Sequence, residues 1–267
     1  MINIHGFKQK KENKEKISVM TCYDFTTAKI IDKSDIDCVL VGDSGSMAMF
    51  GCRSTINATI EMMALLTSSV AKGITQKFLI GDMPFLSYKK GLKTTMENID
   101  KIMKAGANAV KLEGVRGNEK IIKHLISFGI PVMGHIGLIP QSINMIGGYK
   151  VQGKHSEDAD RLQNEAKELE SLGCFSIVLE CMPTDLSRKI TESLTIPTIG
   201  IGAGPYTDGQ VTVIHDMLGL ESEKKAKFVR KYLDGYNLIL NGLNKFHSDV
   251  VSGNYPSQDE SYFWREE

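Results

Sequence analysis

The sequence predicts an α/β protein in which eight parallel strands close into a (β/α)8 barrel, the TIM-barrel fold. Short, continuously apolar segments alternate about eight times with longer segments whose apolar residues recur every three to four positions. Continuous apolar runs indicate strands that are covered on both faces, as in parallel sheets. An open doubly wound sheet would accept the same alternation. Eight strands within 267 residues favour the barrel, which needs roughly 250 residues.

The predicted strands are short runs rich in Val, Ile and Leu, with polar residues mainly near their ends. In chain order they are 17–24, 37–44, 77–85, 109–114, 131–137, 175–182, 197–204 and 211–218.

Helices are predicted between these strands from periodicity and from their end signals. Residues 58–73 have the 3.6-residue period and end on Gly73, and residues 94–106 begin on threonine and end on glycine. Residues 118–129 also end on glycine, with Pro131 following, and residues 156–173 begin on Ser156 with acidic residues in the first turn. Each combination is typical of a capped helix.

We expect one barrel domain over residues 1–267, with a C-terminal helical extension and tail from about residue 221. The segment 221–251 is predicted to form one or two helices, and 252–267 is a polar tail with the chain's single tryptophan, Trp264. An aromatic tail of this kind is expected to pack on a neighbouring subunit or on its own barrel.

Composition narrows the class of protein. Lys plus Arg and Asp plus Glu number 32 each, so no charge excess points to nucleic acid or to an anionic membrane. The five cysteines show no Cys-x-x-Cys spacing, as expected of reduced thiols in a cytosolic protein. Residues 1–16 are charged, and no apolar run approaches the ~20 residues of a membrane span. We therefore expect a soluble, cytoplasmic protein.

Polar residues at the carboxyl ends of barrel strands are the functional candidates, because TIM-barrel active sites lie there. Lys111 and Glu113 are two apart on one strand, so their side chains share a face, while Val110 and Leu112 face the other way. A self-satisfied ion pair is the alternative reading. The full set of candidates is Asp43, Ser44, Asp82, Lys111, Glu113, His135, Glu180, His215 and Asp216.

Asp43 and Asp82 each follow a glycine at the ends of neighbouring strands. Two carboxylates without a histidine or cysteine cluster suit a hard cation such as Mg²⁺, with an oxo acid completing its coordination. Alternatively, each aspartate caps the next helix or turn. His135 and His215 are interpreted first as structural histidines. Residues 200–204, Gly-Ile-Gly-Ala-Gly, are a weak match to a dinucleotide motif, and a close backbone turn is favoured.

Several blocks of the sequence, in order, resemble the ketopantoate hydroxymethyltransferase family. They are GDS at 42–44, DMPFLSY at 82–88, VKLEG at 110–114, GHIGLIPQS at 134–142, GGYKVQGK at 147–154, VLECMP at 178–183 and IPTIGIGAGPYTDGQVTVIHDMLGL at 196–220.

The resemblance implies a (β/α)8 enzyme that transfers a one-carbon unit from 5,10-methylenetetrahydrofolate to 3-methyl-2-oxobutanoate in pantothenate biosynthesis. It implies Mg²⁺ as cofactor and a homo-oligomer, a decamer of two pentamers. By matching motif positions, Asp43 and Asp82 resemble metal ligands and Glu113 a metal-proximal carboxylate acting through water. Ser44 and Lys111, with the two aspartates, resemble the oxo-acid site, and Glu180 resembles the catalytic base.

The sequence departs from the family pattern beside these residues. Gly45-Ser46 stands where the family usually has Leu-Gly, Cys52-Arg53 where His-Asp is usual, and Leu65-Leu66 where Tyr-His is common.

Three alternatives stay open at this point. The first is a Mg²⁺-dependent lyase or mutase of the phosphoenolpyruvate mutase/isocitrate lyase type, although its Lys-Lys-Cys-Gly loop is not found. The others are a Schiff-base enzyme using Lys111 and a non-catalytic paralogue.

Overall fold

The structure is a computed structural model that describes residues 2–221 and 226–264. Its strands are all parallel and form one closed barrel in the order β1 to β8. The predicted (β/α)8 class is confirmed. The strands are β1 Ile17–Thr21, β2 Cys38–Val41, β3 Phe78–Asp82, β4 Ala109–Glu113, β5 Val132–Gly137, β6 Ser176–Glu180, β7 Thr198–Ile201 and β8 Gly209–Thr212.

The helices alternate with the strands over most of the barrel. They are α1 Ile4–Glu12, α2 Phe25–Asp32, α3 Gly45–Phe50, α4 Ile60–Gly73, α5 Leu92–Lys104, α6 Glu119–Ser127, α7 Ile143–Ile146, α8 Ser156–Leu172, α9 Thr184–Ser193, α10 Ile214–Met217 and α11 Gly235–Ser252. Single 3-10 turns lie at Thr55–Asn57, Pro140–Ser142 and Gln258–Glu260.

The prediction for the eighth strand was wrong. Residues 202–208 join β7 to β8 without a helix, through a turn in which Gly202 and Gly204 have positive φ. The strand therefore starts at Gly209 and ends at Thr212. The Ile214 amide then donates to Thr21 Oγ1 at 2.9 Å, so His215 and Asp216 lie in the short helix α10 and not on a strand.

The barrel interior is apolar at the amino ends of the strands and charged at their carboxyl ends. Every second residue of a strand points inward, and at the amino ends the inward residues are apolar, as with Phe78 and Ile80 of β3. One step further along the same face lies Asp82, which is 2% exposed. β4 repeats the pattern with Ala109 followed by Lys111 and Glu113. The carboxyl end of the barrel is thus a buried charged layer resting on an apolar one.

Helix α1 closes the amino end of the barrel, a role that the sequence reading did not assign to it. Asn3 caps the helix by accepting from the Gly6 amide at 3.0 Å. Phe7 is fully buried and its ring meets Phe78 and Phe175 edge-on, with centroids 5.8 and 5.3 Å away. Such aromatic contacts stabilise beyond their buried area. Phe7 joins the apolar cluster formed by Ile17, Val19, Cys38, Leu40, Phe78, Ile80, Ala109, Met133, Val178, Ile199 and Val211.

The chain divides into two compact units, Met1–Ile214 and His215–Glu267. The second contains α11, predicted as one or two helices, and the amides of Tyr232 and Gly235 donate to Met217 and Leu218 carbonyls within it. Parts of the predicted extension and tail, 222–225 and 265–267, lie outside the described residues. Trp264 is 91% exposed. Among the described residues, no helix is both long and apolar enough to cross a membrane.

We expect Phe7→Ala to lower the free energy of unfolding by about 3–5 kcal/mol, because the change removes a fully buried ring and leaves a cavity. Urea denaturation followed by circular dichroism measures this. Phe128→Ala is the matched control, since Phe128 is 64% exposed and should change stability by less than about 1 kcal/mol. Equal effects of the two substitutions would contradict the role given to α1.

Candidate active site

Lys111 lies at the centre of the charged layer. Its ammonium group is 2.8 Å from Asp82 Oδ1, 3.4 Å from Glu113 Oε1 and 3.2 Å from His135 Nδ1, and its side chain is 5% exposed. The three partners come from three neighbouring strands, because Lys111 pairs with Asp82 on β3 and Glu113 pairs with His135 on β5. Gly114 then turns the chain away with φ of +77°, a conformation that glycine adopts without strain.

A histidine connects two glutamates on one side of this lysine. His135 Nδ1 is 3.3 Å from Glu113 Oε1, and Nε2 is 3.2 Å from Glu180 Oε2. His135 is 2% exposed, whereas the Glu180 side chain is 15% exposed. Glu180 is therefore the carboxylate of the group that a small molecule entering the barrel mouth reaches first.

The two aspartates meet on the other side of Lys111. Asp82 Oδ2 accepts from the Asp43 amide at 3.0 Å, and Asp43 is 4% exposed. Ser44 is the residue before α3, and its hydroxyl lies 2.7 Å from the hydroxyl of Tyr23. The structure thus brings Asp43, Asp82, Lys111 and Glu113 into one contiguous group, with Glu180 joined through His135 and Ser44 adjacent to Asp43.

The carboxylates of this group hold protons with different strength. Burial raises the pKa of Asp43 well above its usual value, and the charges of Glu113 and Asp82 raise it further. Burial also raises the pKa of Asp82, although Lys111 opposes the shift. For Glu113, burial would raise the pKa, but Lys111 and His135 lower it to about 2. Glu113 is therefore held as a carboxylate, whereas repulsion among the carboxylates is expressed in the raised pKa values of the two aspartates.

The pKa values of the two basic groups are raised by the surrounding carboxylates. Burial would lower the pKa of Lys111, but Asp82, Glu113 and Asp43 raise it above its usual value. Burial and the charge of Lys111 would likewise lower the pKa of His135, but Glu113 and Glu180 raise it to about 9. A lysine held as ammonium cannot attack a carbonyl, which disfavours a Schiff-base role for Lys111.

The donor set at the mouth fits an oxygen-preferring divalent cation. Four carboxylates face one lysine and one histidine, and the buried aspartates repel each other, so an added cation would relieve the excess negative charge. Among residues 2–221 and 226–264, no group of three or more His, Cys, Asp or Glu side chains is arranged to bind a metal ion. Two aspartates with water and a chelating ligand suit Mg²⁺, which keeps several waters and needs few protein ligands.

Three residues of the site, Tyr23, Tyr88 and Gln141, were not singled out from the sequence. His135 was among the candidates at strand ends but was interpreted first as structural; it stands opposite Glu113 in the β4–β5 register. Tyr88 and Gln141 lie outside the strands, so periodicity does not locate them, and the signal that contains them is the pair of family-like blocks 82–88 and 134–142. Nothing in those blocks indicates that the two side chains are in contact.

The family model for ketopantoate hydroxymethyltransferase matches residues 1–258. A Legionella pneumophila (strain Paris) protein named 3-methyl-2-oxobutanoate hydroxymethyltransferase is 52% identical over 262 residues, covering 98% of this chain and 100% of its own. A protein of the same name from Bdellovibrio bacteriovorus is 50% identical with the same coverage.

The chain belongs to the ketopantoate hydroxymethyltransferase family. It is accordingly an enzyme of the hydroxymethyltransferase type, as the resemblance of its motifs predicted.

Solved structures of other enzymes share the fold at low identity. A 2,3-dimethylmalate lyase of the phosphoenolpyruvate mutase/isocitrate lyase superfamily aligns with TM-score 0.63 at 13% identity, over 96% of this chain and 92% of that one. A phosphonopyruvate hydrolase aligns with TM-score 0.64 at 9% identity, over 99% and 92%. These likenesses confirm the barrel and do not bear on the reaction.

One departure from the family pattern has a local structural explanation. A Cβ atom on Gly45 would lie 2.7 Å from Tyr23 Cδ1 and 2.8 Å from Leu66 Cδ1. Leu66 is 4% exposed, so its side chain fills the space that a residue larger than glycine at position 45 would need. Ser46 fits the same turn, because its hydroxyl donates to the Asp43 carbonyl at 2.8 Å.

We expect Gly45→Leu to lower the free energy of unfolding by about 1–3 kcal/mol through overpacking against Tyr23 and Leu66. Leu66→Ala alone should cost about 2–5 kcal/mol by leaving a cavity. The double variant should lose less free energy of unfolding than the two single variants lose in sum. The larger side chain at position 45 would fill the cavity left by the smaller side chain at position 66. Urea titration of the four chains measures the coupling, and additivity within about 0.5 kcal/mol would show that positions 45 and 66 do not share this space.

Proposed function

We propose that this enzyme transfers a hydroxymethyl unit from 5,10-methylenetetrahydrofolate to 3-methyl-2-oxobutanoate, giving 2-dehydropantoate for pantothenate biosynthesis. The names of the relatives at about 50% identity support the reaction. The observation that carries the mechanism is a protonated lysine buried among carboxylates at the barrel mouth, with the more accessible Glu180 beside it.

Mg²⁺ is the proposed cofactor. Asp43 and Asp82 would hold it, and Glu113 would act through water, because both Glu113 oxygens already have partners in Lys111, His135 and the Gln141 amide. When bound, Mg²⁺ supplies a Lewis acid beside the oxygens of the oxo acid.

Lys111 and Ser44 are proposed to bind the oxo acid, together with the two aspartates. The C3 proton of 3-methyl-2-oxobutanoate is weakly acidic, and its removal places negative charge on the 2-oxo oxygen. An ammonium group fixed by Asp82 and Glu113 is already oriented before that charge develops, which is the condition for electrostatic stabilisation of a transition state. Burial of Lys111 strengthens the effect, because little water screens it.

Glu180 is proposed to remove the C3 proton as general base. His135 Nε2 lies 3.2 Å from one oxygen of this carboxylate, and the Glu180 side chain is 15% exposed, more than the other carboxylates of the group. The resulting carbanion forms a bond to the methylene carbon of the folate, and both carbon–nitrogen bonds of that methylene break. Water supplies the hydroxyl of the product, and the two folate nitrogens take up the proton released by that water and the proton removed from C3. A general base of this kind contributes typically 10²–10⁴-fold to the rate.

Family membership favours this reaction over the lyase or mutase alternative. The 2,3-dimethylmalate lyase of the phosphoenolpyruvate mutase/isocitrate lyase superfamily aligns at only 13% identity, whereas the hydroxymethyltransferases align at about 50%. Retention of the whole charged group argues in the same direction against a non-catalytic paralogue.

We further propose a cytoplasmic homo-oligomer, with a decamer as its expected size. The described cysteines are free thiols, in keeping with a reducing compartment. Within the second unit, Leu238, Leu243, Phe246 and Val251 of α11 are each more than half exposed. Apolar exposure on this scale is typical of a surface that another protein surface covers.

We expect Asp82→Ala to abolish Mg²⁺ binding in the presence of 3-methyl-2-oxobutanoate, because the change removes one of the two proposed ligands and the partner of Lys111. Isothermal titration calorimetry measures the binding. Asp100→Ala serves as control, since Asp100 pairs only with exposed Lys104 on α5. Mg²⁺ binding to Asp82→Ala at the parent affinity would remove Asp82 from the metal site.

We expect Glu180→Gln to bind the oxo acid and Mg²⁺ nearly as the parent does, yet to lose 10²–10⁴-fold in deuterium exchange at C3 of 3-methyl-2-oxobutanoate. The amide keeps the shape of the side chain but cannot accept the proton. Proton NMR in deuterated water follows the exchange, with Glu119→Gln, in the first turn of α6, as control. A loss of roughly tenfold or less, about 1.4 kcal/mol of barrier, would assign Glu180 an orienting role instead.

A further inference from the structure

Gln141 lies in the 3-10 turn after β5 and contacts three of the strand ends that form the site. Its backbone amide donates to Glu113 Oε2 at 3.1 Å, and its side-chain Nε2 donates to Asp43 Oδ2 at 2.9 Å. The same Nε2 donates to the Met83 carbonyl, which follows β3, at 3.0 Å. One residue thus bonds to the Asp43 carboxylate, which follows β2, to the Glu113 carboxylate at the end of β4, and to the backbone just after β3.

The orientation of this amide is fixed by its partners. Nε2 faces two acceptors, a carboxylate and a carbonyl, while Oε1 lies 3.1 Å from the hydroxyl of Tyr88. Only the amide nitrogen donates and only the amide oxygen accepts, so a flipped side chain would place an acceptor against Asp43. Tyr88 is 1% exposed and its hydroxyl also contacts the Glu113 backbone, so the anchor is itself immobile.

These bonds divide the oxygens of the two carboxylates. Oδ2 of Asp43 and Oε2 of Glu113 are committed to Gln141, while Oε1 of Glu113 faces Lys111 and His135. The side chain at this position must both donate to Asp43 and accept from Tyr88. An ionised glutamate could not donate to Asp43, and an apolar side chain could neither donate nor accept. Gln141 is also 4% exposed, so no water replaces a lost bond easily.

We propose that Gln141 is a positioning residue that fixes the orientation of Asp43 and its separation from Glu113, and thereby sets the affinity of the site for the divalent cation. The inference rests on the proposed function, in which these carboxylates serve Mg²⁺ and the oxo acid. Groups that hydrogen-bond a metal-binding carboxylate hold it in place, and their removal typically costs 10–100-fold in metal affinity or activity.

The test compares Mg²⁺ binding by the parent protein and by Gln141→Met, titrated by calorimetry with 3-methyl-2-oxobutanoate present. Methionine keeps the length of the side chain and removes both the donor and the acceptor. We expect Mg²⁺ affinity to fall 10–100-fold, and kcat to fall more than the KM for the oxo acid rises. The thermal midpoint should fall as well, because buried partners of the amide lose their hydrogen bonds, so binding is measured well below the midpoint of each variant. Gln163→Met on α8, where the glutamine bonds only to its own helix, is the control and should bind Mg²⁺ as the parent does.

Each other outcome overturns the inference. A folded Gln141→Met protein with Mg²⁺ affinity within twofold of the parent would show that Asp43 holds its place without the side-chain amide, since the backbone bond from residue 141 to Glu113 remains in this variant. If Gln141→Met does not fold, Gln141→Asn decides: its shorter amide cannot span Asp43 and Tyr88 together and should lose at least tenfold in affinity, and parental affinity would refute the role. A parent protein that binds no Mg²⁺ would instead refute the proposed function, and the inference with it.

Discussion

The site depends on one buried cation. Lys111 is surrounded by Asp82, Glu113 and Asp43 at the mouth of the barrel, and removing charges from water is costly unless opposite charges and hydrogen bonds compensate. Without Lys111 the carboxylates would face only one another. Without the carboxylates an ammonium group could not stay charged at this depth. These charges therefore stabilise one another only as a complete group, in which the carboxylates outnumber the basic side chains.

Barrel geometry explains how such a group is assembled from distant parts of the sequence. The parallel strands place Asp82, Lys111, Glu113 and His135 in adjacent registers, and the two-residue period sends all four side chains inward. The same inward faces are apolar at the other end, where Phe7 of α1 completes the packing. The apolar packing and the charged group thus lie at opposite ends of the barrel interior, and the charged layer rests on well-packed apolar side chains.

The sequence predicts those parts of the molecule in which apolar residues follow the pattern of a strand or a helix. Continuous apolar runs located the strands, and strand ends gave Asp43, Asp82, Lys111, Glu113 and Glu180 as candidates. Two failures have physical causes. Residues 211–218 are apolar enough for a strand, but a helix-free β7–β8 connection shifts β8 to Gly209–Thr212. Gln141 and Tyr88 are fixed by contacts between loops that are far apart in the chain, and such contacts leave no trace in local pattern or propensity.

The solved structures that share the barrel at low identity have names of other reactions than the relatives that share half of the sequence. Lyases and hydrolases with about a tenth of their residues in common share this barrel, so the fold constrains the reaction very little. The chemistry of this chain is therefore argued from the side chains at its strand ends and from the turns that support them. At one such turn, Gly45 leaves space that Leu66 fills, and the neighbouring Asp43 keeps its bonds to Asp82 and Gln141. A paired change beside the site can therefore alter the sequence of the turn while leaving the positions of the reacting groups intact.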